Sequence, residues 1–228
     1  MAGKWTGRLS GLFNKEPAQQ KHEPLPEGSD ADSEGQEYLD SIRGKLAMLA
    51  EDFAGGRVNR AQFEELYTHY QRERENVARL IVSRPLSDAW RIAVSEGESV
   101  MIRRRLAARV LGYAVYANKD QAALRVYGEF SSLASKWVSL LMDRVQSTHT
   151  EPYVVGTFET GSGDAACLCT VPGEFTILVV LFNQEPARVH TQLLEDLHRH
   201  FEQANYRILG RPHYKAGDLV FPYAAAFE

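Results

Sequence analysis

The stretch Phe175-Thr-Ile-Leu-Val-Val-Leu-Phe182 is an almost unbroken apolar run in a chain of 228 residues. Such a run is typical of a strand in mid-sheet or covered on both faces, because a strand with one wet face alternates apolar and polar residues. Pro172-Gly173 precedes it as a two-residue turn, and Ala165–Val171 is the strand before the turn. The sequence therefore predicts two antiparallel strands joined at Pro172-Gly173, with Phe175–Phe182 in the interior of the sheet.

The same alternation of strand and helix patterns continues on both sides of this pair. Leu111–Ala117 and Ala123–Tyr127 are predicted strands joined by the turn residues Asn118-Lys-Asp120, and Tyr153–Phe158 is a further strand. One set of residues at helical spacing lies between the second and third strands: Leu133, Trp137, Leu140, Leu141 and Val145. Another follows the last strand: His190, Leu194, Leu197, Phe201 and Ile208. We predict an α+β fold with an antiparallel sheet of five to six strands flanked by helices.

A helical hairpin is predicted at residues 37–84, ahead of the sheet domain at residues 86–228. Its first apolar stripe is Tyr38, Ile42, Leu46, Leu49 and Phe53. Its second stripe is Phe63, Leu66, Tyr67, Tyr70, Val77 and Ile81. Gly55-Gly56 supplies a left-handed stop between the helices, and Asn59 with Gln62 forms a capping-box pattern. We interpret the hairpin as structural.

Charge is unevenly distributed along the chain. Residues 1–15 carry three basic residues and no acidic ones, whereas residues 16–40 carry eight acidic residues against one lysine. Because the total net charge is −4, residues 41–228 have no net charge. A neutral body argues against nucleic acid as the partner, since phosphate binding needs a basic face. The acidic residues 16–36, which also contain proline and serine, are predicted to be a disordered linker.

Residues 1–15 form a short amphipathic peptide in which Trp5, Leu9 and Phe13 share one helical face with basic neighbours. This pattern suits a membrane-surface anchor or a docking peptide, and the alternative is a disordered chain start. No apolar run reaches the roughly 20 residues needed to span a bilayer, and no secretion signal begins the chain. We expect a cytoplasmic protein with a peripheral membrane contact through residues 1–15.

No residue set qualifies as an active site. Cys167 and Cys169 lie two apart in one predicted strand, so we interpret them as buried reduced thiols on one face. Asp196 and His200 could share a metal, but such an isolated pair is more typical of a solvated helix face. Gly161–Ala166 matches a dinucleotide fingerprint, yet a strand follows it where a helix is required. We expect no catalytic, cofactor-binding or metal-binding residues; a hydrolase with an unrecognised site is the alternative.

Three consecutive arginines, Arg103, Arg104 and Arg105, form a candidate partner-binding surface. They cannot all be buried, and guanidinium groups recognise carboxylates and phosphates in a bidentate manner. The alternative is ordinary surface charge balanced by Glu96 and Glu98. Periodicity leaves open whether residues 99–107 are a helix or a sixth strand.

The predicted strand–helix order resembles the roadblock/dynein light chain superfamily and, next to it, longin, profilin-like and GAF domains. Gly112-Tyr-Ala-Val-Tyr116 stands where roadblock proteins place their first strand, and Phe175–Leu181 where they place their central fifth strand. Phe53–Tyr67 resembles short bacterial helical-hairpin domains, which serve as oligomerisation or docking accessories. The roadblock resemblance implies a dimeric, non-enzymatic scaffold that regulates small Ras-like GTPases in bacteria, whereas a GAF-like protein would be a small-ligand sensor.

The predicted strand Tyr153–Phe158 is short, apolar and nearly uncharged, and this topology makes it a candidate edge strand. Unprotected edges of this kind pair with other chains. We therefore expect a homodimer with an interface formed by Tyr153, Val155 and Thr157, together with Trp137 of the neighbouring helix.

Overall fold

The computed structural model describes residues 30–84, 87–95, 97–128, 155–159, 165–222 and 224. Within these residues the helices are α1 (Asp30–Ala54), α2 (Arg60–Ser83), α3 (Glu98–Arg105) and α4 (Arg188–Leu209), with short 3-10 turns at Asp88–Ala93 and Ala216–Asp218. The strands are β1 (Val110–Ala117), β2 (Ala123–Gly128), β3 (Val155–Glu159), β4 (Ala165–Pro172) and β5 (Thr176–Phe182). The α+β class with an antiparallel sheet is as predicted. The predicted helix at Leu133–Val145 and the fingerprint turn at Gly161–Gly163 lie outside the described residues.

The strands follow the order β2-β1-β5-β4-β3, with each neighbouring pair antiparallel. β5 lies between β1 and β4, and all seven of its residues are buried, which confirms that the apolar run is in the sheet interior. The predicted turn is displaced, because Pro172 is the last residue of β4 and pairs with Ile177. The reversal occurs at Gly173–Phe175 instead, since the Glu202 carboxylate accepts the backbone amides of Glu174 and Phe175 there.

One face of the sheet packs against α4. Tyr113, Cys169 and Val180 contribute to this core from β1, β4 and β5, and Leu194 and Phe201 contribute from α4. The helix buries more than its apolar stripe, because three polar residues share that face: Thr191, His198 and Asn205. The predicted stripe is wrong at its first position, since His190 is exposed. Residues 191, 194, 198, 201 and 205 set the buried face, and position 190 lies to one side of it.

A second core lies between the N-terminal helices. Ile42 and Leu49 of α1 pack with Leu66 of α2 and Ile102 of α3. The two helices run in opposite directions. This brings the Tyr38 hydroxyl, near the start of α1, to Glu73 in the second half of α2, to which it donates (2.7 Å). The apolar stripes continue beyond this core onto the surface, where Phe53 and Tyr67 are 41% and 45% exposed. Their rings stack on either side of Phe63.

Helix α1 begins at Asp30, so the disordered linker predicted for residues 16–36 does not extend to residue 36. Gly35 is buried, and the space beside its Cα is closed by the side chains of Ile81 and Trp90. The acidic residues of this segment favoured the linker prediction. Near the start of a helix, however, acidic side chains are stabilising, because the helix dipole is positive there. The rest of the linker and the peptide bearing Trp5, Leu9 and Phe13 lie outside the described residues.

The capping box at the start of α2 also joins the helices to the sheet. The Asn59 side chain accepts the backbone amide of Gln62, and the Asn59 backbone amide donates to the Gln62 side-chain oxygen, as the sequence predicts. The Asn59 Nδ2 group then donates to the carbonyls of Leu106 (2.9 Å) and Glu185 (3.1 Å). Gly56, with φ of +70°, lies in the loop before α2, and a Cβ there would approach the Arg188 Cβ to 2.5 Å. The loop before α2 is therefore fixed by contacts with distant parts of the chain.

None of the described helices combines the length and the apolar content needed to cross a bilayer.

Candidate functional site

The predicted dimer strand is found at one end of the sheet. β3 runs from Val155 to Glu159 and pairs with β4, so that Val155 stands opposite Cys169 and Thr157 opposite Cys167. It is the last strand in the order of the described sheet. Tyr153 and Trp137, the other predicted interface residues, lie outside the described residues.

The arginine segment is helical, because Glu98–Arg105 forms α3. Two of its guanidinium groups contact carboxylates of the other helices: Arg103 Nη2 lies 3.4 Å from Asp52 Oδ2, and Arg105 Nη2 lies 3.3 Å from Glu65 Oε1. The alternative prediction was that Glu98 balances the charge of these arginines. In the structure the Glu98 carboxylate faces His69 instead. Arg104 is exposed.

Asp52 accepts hydrogen bonds from two arginines at this surface. Its hydrogen bond from Arg57 (2.7 Å) lowers the pKa of the carboxyl from 3.8, and the bond from Arg103 adds a smaller lowering. Arg103 and Arg105 therefore bridge α3 to α1 and α2, with side chains that remain 42% and 65% exposed. Two of the three arginines of the predicted partner surface thus contact other helices of the same chain.

The cysteines are placed as predicted. Cys167 and Cys169 are fully buried thiols, not joined in a disulfide, in the same core beneath α4. Burial raises the pKa of Cys169 to about 12, and the neighbouring Cys167 adds to the shift. Because the thiolate is the reactive form, these cysteines are inert packing residues.

A hydroxyl, an imidazole and a carboxylate that the sequence analysis missed meet beside β5. Thr176 Oγ1 lies 2.9 Å from His198 Nε2 and 2.7 Å from Glu202 Oε1. The Glu202 carboxylate also accepts three backbone amides, those of Glu174, Phe175 and Thr176. The carboxylate thus secures the β4–β5 turn to α4.

This arrangement does not activate the threonine. Its hydroxyl donates its proton to Glu202, so the hydroxyl oxygen accepts from His198, whose Nε2 must carry hydrogen. Burial lowers the pKa of His198 to about 4, with the charge of Glu202 opposing that shift. A nitrogen that already carries hydrogen cannot take the hydroxyl proton as a general base. Thr176, His198 and Glu202 therefore have a structural role, which is to link the β4–β5 turn to α4.

The Asp196 and His200 pair lies on the exposed side of α4. Asp196 Oδ1 instead contacts Arg199 Nη2 of the same helix at 3.0 Å. Within the described residues no three His, Cys, Asp or Glu side chains are grouped to hold a metal ion.

The cavity between the sheet and α4 is small and apolar. It has a volume of about 30 Å³ and is lined by residues that include Tyr113, Leu178, Phe201 and Phe221. A space of this size holds about one water molecule, whereas ligand pockets begin at roughly 300 Å³.

A larger cleft, of about 320 Å³, lies between α1, α2 and the segment that leads into α3. We call it the α1–α2 cleft; its walls include Tyr38, Lys45, His69, Tyr70, Glu73 and Ser95. His69 and Glu73 are 8% and 5% exposed. Sequence periodicity missed this site, because both polar residues stand on the buried face of α2 between its apolar positions.

The polar groups of the cleft contact one another. Glu73 Oε1 accepts the Tyr38 hydroxyl (2.7 Å) and the Ser95 amide (3.2 Å), and Glu73 Oε2 lies 3.6 Å from His69 Nε2. The other imidazole nitrogen of His69 lies 3.5 Å from Glu98 Oε2. The Lys45 ammonium stands over the rings of Tyr38 and Tyr70, at 5.4 and 5.9 Å from their centroids.

Comparison of the chain with protein-family models, curated proteins and solved structures found no match.

Proposed function

We propose that the protein is a non-enzymatic, homodimeric interaction module of the roadblock-like kind, which regulates a partner such as a small Ras-like GTPase. The strand order supports this proposal, because β5 lies between β1 and β4, the central place that the resemblance assigns to it. In this proposal α1 and α2 form a helical hairpin that serves as a docking accessory, and residues 1–15 supply a peripheral membrane or partner contact.

The position of β3 carries the proposal. A strand at the end of a sheet presents backbone donors and acceptors that another chain can pair with, and natural proteins protect such edges with lysine, proline or a bulge. β3 reads Val155-Gly-Thr-Phe-Glu159 and contains no lysine or proline. Its pairing with β4 is regular over all five residues. These features favour pairing of β3 with β3 of a second copy.

The alternative, a GAF-like sensor of a small ligand, requires a pocket at the sheet. The cavity between the sheet and α4 has about a tenth of the volume that such a pocket needs. A second cleft, of about 380 Å³, lies between the end of β4 and α4 and has the volume of a ligand pocket. The dimerisation test below therefore decides between the scaffold and the sensor.

Dimerisation is the first test. We expect the wild-type chain to sediment as a dimer at micromolar concentration and Val155→Lys to shift it towards monomer by about tenfold or more in dissociation constant, because lysine protects an edge. Val126→Lys on β2, at the opposite end of the sheet, is the matched control and should leave the dimer intact. Thr157→Lys provides a second variant on β3, with melting temperature measured for each. A monomeric wild type would contradict the proposal and favour the sensor.

Partner binding is the second test. Arg104→Glu is expected to weaken binding of an acidic partner surface by about tenfold without changing the melting temperature, since Arg104 is exposed. The measurement is binding of Ras-like GTPases, loaded with GDP or a GTP analogue, to the immobilised full chain. Arg211→Glu, an equal charge reversal at an exposed site beyond α4, is the control. Equal losses from both variants would point to general charge attraction, and no binding by any GTPase would remove this partner class.

A further inference from the structure

The α1–α2 cleft already holds a positive charge between two aromatic rings. The Lys45 ammonium lies within about 6 Å of both the Tyr38 and Tyr70 ring centroids, the range in which a cation is attracted to the face of a ring. Lys45 is an exposed residue with a flexible stem, so its ammonium group can leave without disturbing the core. The two tyrosine rings, in contrast, are fixed, because Tyr70 is only 7% exposed and the Tyr38 hydroxyl donates a hydrogen bond to Glu73.

The cleft also supplies the counter-charge for a cation. The Glu73 carboxylate is 5% exposed, and three neighbours hold it in place: the Tyr38 hydroxyl, the Ser95 amide and the His69 ring. Glu98, on the far side of His69, adds a second carboxylate at 51% exposure. These contacts fix the Glu73 carboxylate in the wall of the cleft.

We propose that the α1–α2 cleft binds an alkylammonium group, from a free amine or from a lysine side chain, in the position that Lys45 now occupies. Two tyrosine faces recognise a cation in that position, the fixed Glu73 carboxylate lies in the same cleft, and the volume of about 320 Å³ accommodates a short alkyl stem. The same walls disfavour anions, because two carboxylates face His69. Lys45 acts as an internal competitor that a ligand displaces.

The test is an NMR titration of the full chain with n-butylammonium at pH 7. The Ser95 amide donates to Glu73, so its chemical shift reports occupation of the cleft directly. Neutral n-butyramide is the control ligand and should leave this amide unshifted. A second arm uses N-acetyl-lysine methylamide: binding of both cations identifies a lysine side chain as a fitting ligand, and binding of n-butylammonium alone identifies a free amine.

Three variants make the proposal falsifiable. Lys45→Met keeps the stem and removes the internal cation, so we expect about fivefold tighter binding. Glu73→Gln removes the counter-charge and should weaken binding by about tenfold. Glu75→Gln, an exposed site on α2 with the same loss of charge, should bind as the wild type does. The proposal is overturned if n-butyramide shifts the Ser95 amide as strongly as n-butylammonium, or if Lys45→Met leaves the affinity unchanged.

Discussion

Asn59→Ala is expected to destabilise the folded protein by about 3 kcal/mol, because one side chain performs two tasks. Its Oδ1 caps α2 by accepting the Gln62 amide at 2.8 Å. Its Nδ2 donates to the carbonyls of Leu106 and Glu185, which come from the end of α3 and from the segment between β5 and α4. Alanine removes the cap and leaves these two carbonyls without their donor. For a chain of this size the loss corresponds to roughly 10 °C in melting temperature.

Urea unfolding of wild type, Asn59→Ala and Asn59→Ser measures the two tasks separately. Serine is itself a good N-cap, so Asn59→Ser should recover about 1 kcal/mol relative to alanine, and the remaining loss belongs to the two carbonyl bonds. Limited proteolysis of Asn59→Ala should show earlier cleavage at the junction between the helices and the sheet. The extrapolated free energy of unfolding carries an error of roughly 10–15%. If its value for Asn59→Ala lies within about 0.5 kcal/mol of wild type, the Asn59 side chain does not hold the helices to the sheet.

His198 is expected to make the protein lose about 3 kcal/mol of stability between pH 7 and pH 4. Burial lowers the pKa of the folded-state imidazole from 6.5 to about 4. Below pH 6.5 the unfolded chain binds a proton at this residue while the folded chain does not, so stability falls as the pH falls. The loss is complete near pH 4, where the folded state also takes up the proton.

His198→Gln tests this pH dependence with little change to the packing. The glutamine amide can donate to Thr176 Oγ1 as His198 Nε2 does, but it does not titrate, so the variant should lack most of the added slope between pH 6.5 and 4. Chemical unfolding at a series of pH values is the measurement. His213→Gln is the control, because His213 is exposed beyond α4. An equal slope in wild type and His198→Gln would assign the acid sensitivity to other groups.

The elements that local chemistry specifies were predicted well. The apolar run that became β5 and the Asn59–Gln62 capping box both depend on residues close in the chain, and both are found where the sequence places them. The buried cysteines follow from strand periodicity in the same way. By contrast, the start of α1 at Asp30 was missed, because the composition of residues 30–36 reads as a linker and only packing of Gly35 on Ile81 and Trp90 makes it helix.

The polar sites could not be predicted, since each one joins residues distant in the sequence. Nothing near Thr176 indicates that His198 and Glu202 will meet it, and nothing near Tyr38 indicates Glu73. The sequence by itself determined which segments are strands and helices and which of their faces are apolar, because those features repeat with the period of the backbone. Only the tertiary structure decided which polar side chains lie buried together, because burial of a charge or a hydroxyl depends on partners that another element must bring.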